Sequence, residues 1–301
     1  MNKINEFLKN NNIKPLRYLK KGNVYILEEN NKKMVLKKSI ENTLLYEYLN
    51  SRSFNYFPRI INEDKDYILM EYIQELDIPK EQKILDLVEL VSLLHSKTTI
   101  YKETTKDDFK QIYEDIKGNI DYLKQYYDDT MSEIESKVYF SPSEYLLSRN
   151  ISQVYKSLDF CENKIEEWYK LIENNNKQRY VLLHNNLSLD HFIENDKSYL
   201  ISWDKSKIGL PIFDLYKLYR KHHYDFEFSV LLDKYIQNYP LKQEEKLLFF
   251  ILISLPLVLE LTDNEYENTE AISKEIDRLF KSESLVSFYH INDDNNTNND
   301  N

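Results

Sequence analysis

The chain has 301 residues, a formal net charge of −11, 42% hydrophobic residues and 14% aromatic ones. That is enough for one or two domains around a large core. The acidic balance argues against sequence-independent nucleic-acid binding and against an anionic membrane surface. A single cysteine, Cys161, leaves no intramolecular disulfide framework and suits a reducing, cytoplasmic setting.

Residues 1–12 read as a short helix or a loose arm, without the apolar run a signal peptide needs. Residues 17–20, 24–28 and 34–38 read as three strands, the first two joined by the turn Lys21-Gly22-Asn23. That turn has two readings, an anion-holding loop with one glycine beside two lysines, or a plain hairpin. Residues 41–49 have helical spacing with Leu44, Leu45, Tyr48 and Leu49 apolar. Residues 57–61 and 67–72 make a further strand pair, the second running into Glu71-Tyr72-Ile73. A helix over 80–95 follows, with Ile84, Leu87, Val88, Val91 and Leu94 on one face and His95 as a core or helix-end histidine. Residues 105–178 are helical and highly charged.

The longest apolar run, residues 247–259, is too short to span a bilayer and contains Ser254 and Pro256. It reads as a buried helix kinked or ended at the proline. His222 and His223 are adjacent on a helix and so point apart, which argues against a shared metal. Two or three helices follow residue 241 and end near residue 288, and the polar tail 292–301 is expected to be disordered.

The most informative stretch is residues 180–216. Val181, Leu182 and Leu183 lead as a strand into His184-Asn185-Asn186, and a loop reaches His191 before a short strand at Phe192-Ile193. A second strand at Tyr199-Leu200-Ile201 runs into Ser202-Trp203-Asp204, followed by Gly209-Leu210-Pro211 and Asp214-Leu215. This segment resembles the catalytic region of the aminoglycoside phosphotransferase and choline kinase-like families, with their H-G-D-x-x-x-x-N, I-D-W/F-E and G-D-P-x-x-D-L patterns. The "SL" at Ser188-Leu189, the Leu255-Pro256 break and the later Glu265-Tyr266-Glu267-Asn268 and Ile276-Asp277-Arg278 resemble the spore-coat kinase-like proteins of Firmicutes.

The resemblance covers residues 14–290 and implies an α+β, two-lobed protein kinase-like fold. A small antiparallel-sheet lobe would span 13–74, after an arm at 1–12, and a larger mainly helical lobe 75–291. It implies that Lys37 contacts nucleotide phosphates with Glu47 or Glu41 as its partner, and that Glu71 and Ile73 border the adenine site. His184, Gly209, Pro211 and Asp214 would shape the site. The general-base position falls on Asn186 and the two metal positions on His191 and Ser202. A carboxamide takes no proton at neutral pH, and Mg²⁺ prefers oxygen ligands, often carboxylates.

Two functions follow, with ATP and Mg²⁺ as cofactors or with none. One is a pseudokinase acting as a binding or structural module in the cytoplasm or in a spore coat. The other is an active small-molecule phosphotransferase using the displaced carboxylates Asp190 and Asp204, the latter sharing a face with Ser202 if the segment is extended. No constellation in the sequence names an acceptor or a protein partner.

Overall fold

The computed structural model describes residues 2–30, 32–39, 44–173, 175 and 177–297. The chain divides into two compact units, Met1–Thr98 with Leu182–Ile208, and Thr99–Val181 with Gly209–Asn301. The first holds an antiparallel sheet; the second is larger and mainly helical.

In the first unit, strands β1 (Arg17–Lys21), β2 (Val24–Glu29), β3 (Lys32–Lys38), β4 (Ile60–Glu63) and β5 (Tyr67–Glu71) form one sheet in the order β1-β2-β3-β5-β4. Every neighbouring pair is antiparallel. The β1–β2 connection is a tight hairpin in which Lys21 pairs with Val24, and Gly22 sits at φ +57°. A two-residue hairpin demands positive φ, which glycine takes without steric cost. The turn is thus a hairpin, a geometry common to both of its readings.

Alternation sorts the sheet into two faces. The register places Tyr25, Leu27, Met34, Leu36, Tyr67 and Leu69 on one face, and Val24, Ile26, Val35, Lys37, Ile68 and Met70 on the other. Helix α1 (Asn2–Asn10) covers the first face, packing Phe7 and Leu8 against Leu27, Leu36 and Leu69. The N-terminal arm is thus an integral layer of the core.

Helix α2 (Leu45–Ser51) buries Leu45, Tyr46 and Leu49. Leu44, expected on its apolar face, is 64% exposed. Helix α3 (Lys80–Thr98) buries one side from Ile84 to Leu94 together with His95. The expected boundary at residue 74 is not where the units divide, because backbone bonds tie residues beyond it to the sheet part. Leu76 N–H donates to Glu194 O and Leu200 N–H to Tyr56 O, both at 2.8 Å, and Leu182 N–H donates to Thr98 Oγ1 at 3.1 Å.

The second unit contains β6 (Ile100–Glu103), which sequence reading missed, paired antiparallel with β7 (Lys177–Leu183). Helices α4 (Lys106–Glu135) and α5 (Pro142–Ile172) are long and amphipathic, and a capping box at Ser141 and Glu144 starts α5. Helix α6 (Ile212–His222) precedes α7 (Phe228–Asn238), α8 (Gln243–Ser254) and α9 (Glu265–Thr297). Helix α8 ends just before Pro256, as the missing N–H requires. Arg278 takes over the freed carbonyls, donating to Ile253 O at 2.5 Å and Leu255 O at 2.7 Å. Helix α9 runs through Thr297, so residues 292–297 are helical where a disordered tail was expected. No helix among the described residues is long and apolar enough to cross a membrane.

Candidate functional site

The uncovered face of the sheet sets the site. Ile68 and Met70 are buried on it, while Val24, Ile26 and Val35 are only half-buried and leave an apolar surface beside Lys37. The Lys37 side chain is 11% exposed, and its Nζ lies 3.6 Å from Asp204 Oδ1. Burial holds its ammonium below the ordinary lysine value, with Asp204 and then Glu63 acting in the opposite direction. A cavity of about 800 Å³ includes Lys20, Asn23, Lys37, Lys38, Trp203 and Asp204 in its lining. Of its lysines Lys37 projects from this face, whereas Lys20 and Lys38 pair with Tyr25 and Tyr67 and so project from the face that α1 covers.

Glu47 does not pair with Lys37, contrary to expectation. It lies on the exposed side of α2, one residue past the buried Tyr46, because successive helical residues point about 100° apart. Glu41 lies outside the described residues. Tyr46 faces inward instead, 2% exposed, with its hydroxyl buried and without a hydrogen-bond partner among the described residues. Burial raises its phenol above the ordinary tyrosine value, and Asp204 and Glu63 add to the shift. Neither Tyr46 nor Glu63 was singled out from the sequence. The available signal was the aromatic residue adjacent to Leu45 in a short helix.

The loop after β7 is built on two left-handed residues. Asn185, at φ 62°, occupies the glycine position of the H-G-D pattern and donates from Nδ2 to Lys205 O at 2.8 Å. Asparagine is among the few non-glycine residues that tolerate this conformation. Ser202, at φ 64° and ψ 52°, opens the 3₁₀ turn Trp203–Lys205 with no side-chain cap bond. The segment is therefore turned after Ser202, so the extended-strand argument for Asp204 sharing its face does not hold. Asp204 reaches Lys37 through the turn instead.

His184 is fully buried, its Nε2–H donating to Ile201 O at 2.9 Å and its ring edge-on to Trp203 at 4.7 Å. Trp203 is anchored by Nε1–H to Leu200 O at 2.9 Å and by the Phe54 ring at 6.1 Å. These contacts fix the positions from which Ser202 and Asp204 project.

His191 serves its own loop. Its Nδ1–H donates to Asn186 O at 2.6 Å, Ser188 Oγ lies 3.2 Å from the same nitrogen, and its carbonyl accepts Ile201 N–H at 3.0 Å. Asn186 is half-buried. Asp190, in the turn Leu189–His191, is exposed and has no ion pair with a described residue. Among the described residues no three His, Cys, Asp or Glu side chains stand together as metal ligands. A neutral serine, a histidine bonded within its loop and a carboxylate facing a lysine do not fit Mg²⁺. The cationic cavity and the half-buried apolar strand face do fit the phosphates and base of a nucleotide.

Glu71 is occupied near the end of β5. Its carboxylate accepts Arg59 N–H at 2.9 Å, and the Arg59 side chain lies 4.0 Å away. Ile73 is half-buried, and its backbone makes no hydrogen bond with a described residue. Gly209 closes a short strand, Lys207–Gly209, Pro211 precedes α6, and Asp214 is fully buried in the first turn of α6. A carboxylate there is favoured by the helix dipole.

No family model matches the chain, and no characterised protein sequence matches it. Solved structures do. An aminoglycoside phosphotransferase from Alicyclobacillus acidocaldarius aligns with a TM-score of 0.62 at 10% identity, over 92% of each chain. The spectinomycin phosphotransferase APH(9)-Ia, in an AMP-bound complex, aligns with a TM-score of 0.56 at 12% identity, over 93% of this chain and 98% of its own. The same enzyme in complex with ADP and spectinomycin gives a TM-score of 0.51 at 12% identity, over 94% and 98%. At such identities the likeness establishes the fold, which is protein kinase-like with an antiparallel-sheet lobe and a larger helical lobe.

Proposed function

We propose that this chain is a phosphotransferase-like protein that has lost the transfer reaction and works as a binding module, with the phosphates of a nucleotide as its ligand. The observation that carries the reading is the Lys37–Asp204 pair. The carboxylate lining the cationic cavity faces a lysine, while the base position is an amide, Asn186, and the metal positions are His191 and Ser202. Kinase-type transfer depends almost wholly on positioning and on stabilising charge. A site without an oriented proton acceptor and with few metal ligands retains affinity for an anion without lowering the barrier to transfer. The AMP- and ADP-bound structures of the similar fold support a nucleotide as the ligand.

In this reading Lys37 holds phosphate oxygens, and Val24, Ile26 and Val35, on the same face of the sheet, pack on the base. The free backbone groups of Ile73 meet its polar edge. His184 and Trp203 keep the loop in place. The Firmicutes spore-coat resemblance makes a coat assembly the setting to examine first, by following a tagged chain through sporulation.

The test is a thermal-shift titration with ATP, with and without Mg²⁺, since a ligand of the folded state raises the melting temperature. The expected result is a saturable shift that does not require the metal. It should be accompanied by no ATP turnover in the native chain and by loss of the shift in Lys37→Met. A second reading, activity through relocated carboxylates, is favoured by the exposed and unpaired Asp190. Robust native turnover abolished by Asp190→Asn or Asp204→Asn would establish it.

A further inference from the structure

Helix α1 does not cover its face of the sheet as far as the β1 edge. It packs on β2, β3 and β5 through Leu27, Leu36 and Leu69, and leaves the β1 end of that face open beside it. Tyr18 and Lys20 of β1 project on this face, opposite Leu27 and Tyr25. A trough of about 900 Å³ lies between α1 and these strands. Its apolar surface comes from the half-buried Ile4, Ile13 and Tyr25 and the exposed Tyr18, above the buried Leu8 and Leu27. Its charged lining is Lys9, Lys14 and Lys20, and no carboxylate lines it.

None of these three ammonium groups forms an ion pair with a described residue, although Lys20 Nζ lies 6.0 Å from the centre of the Tyr25 ring. Glu29, which is close by, accepts the Lys14 backbone N–H at 2.8 Å. In a chain of net charge −11, three unpaired cations around an apolar floor are a local reversal of sign.

We propose that this trough binds a single-chain anionic amphiphile, a medium- or long-chain fatty carboxylate. The head group would lie among Lys9, Lys14 and Lys20 in charge-assisted hydrogen bonds. The chain would lie along α1 over Ile4, Ile13 and Tyr25, with affinity rising with the apolar area buried. Size separates this ligand from an acidic helix of a partner protein. The trough follows a nine-residue helix, about 13.5 Å long. A protein segment of that length buries much less than the roughly 1,000 Å² a specific interface needs. The trough volume, in contrast, falls within the range of small-molecule pockets. The trough shares Ile4, Lys20 and Tyr25 with the Lys37 cavity, whereas Lys9, Lys14 and Tyr18 belong to the trough and not to that cavity.

Isothermal titration of the full chain with dodecanoate, below its micelle concentration, is expected to show one saturable site. Hexanoate should bind at least tenfold more weakly, and dodecyltrimethylammonium should show no saturable binding. Lys9 and Lys14 line this trough and not the Lys37 cavity. Lys9→Gln/Lys14→Gln should weaken dodecanoate at least tenfold, as should Tyr18→Asp at an exposed position, with far-UV circular dichroism unchanged. Absence of saturable binding to the native chain, equal binding of the cationic amphiphile, or unchanged affinity in the double variant overturns the proposal. Saturable binding of an acidic amphipathic peptide in place of dodecanoate overturns it in favour of a protein helix.

Discussion

Lys37 Nζ and Asp204 Oδ1 stand 3.6 Å apart, joining a lysine 11% exposed to an aspartate 56% exposed. Water on the aspartate side discounts the attraction, so the pair contributes at most about 1 kcal/mol to stability. Its larger effect is on the charge that Lys37 offers to an anion. Burial lowers the Lys37 value from that of an ordinary lysine, and Asp204 opposes the shift.

A pH dependence follows from this balance. The folded-state value of Lys37 is lowered by burial, so between it and the ordinary lysine value the unfolded chain binds more protons and stability rises with pH. Anion affinity runs the other way. ATP binding without metal is expected to weaken as pH rises through the lowered Lys37 value, before ordinary lysines titrate. Asp204→Asn removes a carboxylate that raises this value, so the loss should move to lower pH. Calorimetric titration between about pH 7 and 10 checks both, and a flat profile up to the ordinary lysine value would refute the assignment.

Tyr46 carries a buried hydroxyl with no hydrogen-bond partner among the described residues. Leaving such a group unpaired costs about 1–3 kcal/mol. Tyr46→Phe is therefore expected to stabilise the ligand-free chain by about 1 kcal/mol in urea unfolding, with an unchanged m-value. A loss of stability would mean that the hydroxyl has a bonding role in the free protein.

Ser202 holds a left-handed backbone at φ 64° without a glycine. That conformation costs an L-residue roughly 1–2 kcal/mol. Ser202→Gly should raise stability by about 1 kcal/mol, and Ser202→Val should lower it by at least as much, because a β-branched side chain fits worst there. Differential scanning calorimetry of the two variants makes the comparison, and equal melting temperatures would count against the strain.

Arg278 and Glu275 form a buried pair at 2.7 Å, with side chains 3% and 5% exposed. Arg278 closes the carbonyl end of α8, while Glu275 Oε1 accepts Leu257 N–H at 2.8 Å beyond Pro256. Arg278→Met would strand the carboxylate in the core and should cost about 3–5 kcal/mol. Arg278→Met with Glu275→Leu should cost less than the single change, since no buried charge is left alone. Chemical denaturation of the three proteins would expose the opposite order if the pair were dispensable.

Much of the architecture lies in local patterns. Short apolar runs rich in β-branched and aromatic residues mark Val24–Glu29 and Tyr67–Glu71 as strands, because such side chains fit a pleated surface. Gly22 marks the hairpin because few residues take positive φ. His184, Asn186, His191 and Ser202 are close in sequence, so the resemblance of this stretch to a catalytic loop, and the residue types standing at its key positions, are legible without the fold. Pro256 ends α8 through its missing N–H, wherever the helix lies.

The partners of these residues were decided only by folding. The sequence offered Glu47 or Glu41 to Lys37, and the tertiary structure supplied Asp204, 167 positions away by subtraction of the two residue numbers. Spacing gives the period of a helix and leaves its rotation open, and the rotation of α2 turns Tyr46 inward and Glu47 outward. Likewise, the amphipathic pattern of residues 2–10 makes a helix, but only packing against Leu27, Leu36 and Leu69 turns a loose arm into a layer of the core. The open trough beside it exists because α1 is nine residues long and the sheet face is wider than the strip it covers. Local sequence sets conformation through short-range sterics and hydrogen bonding, whereas burial and charge pairing depend on which distant surfaces meet.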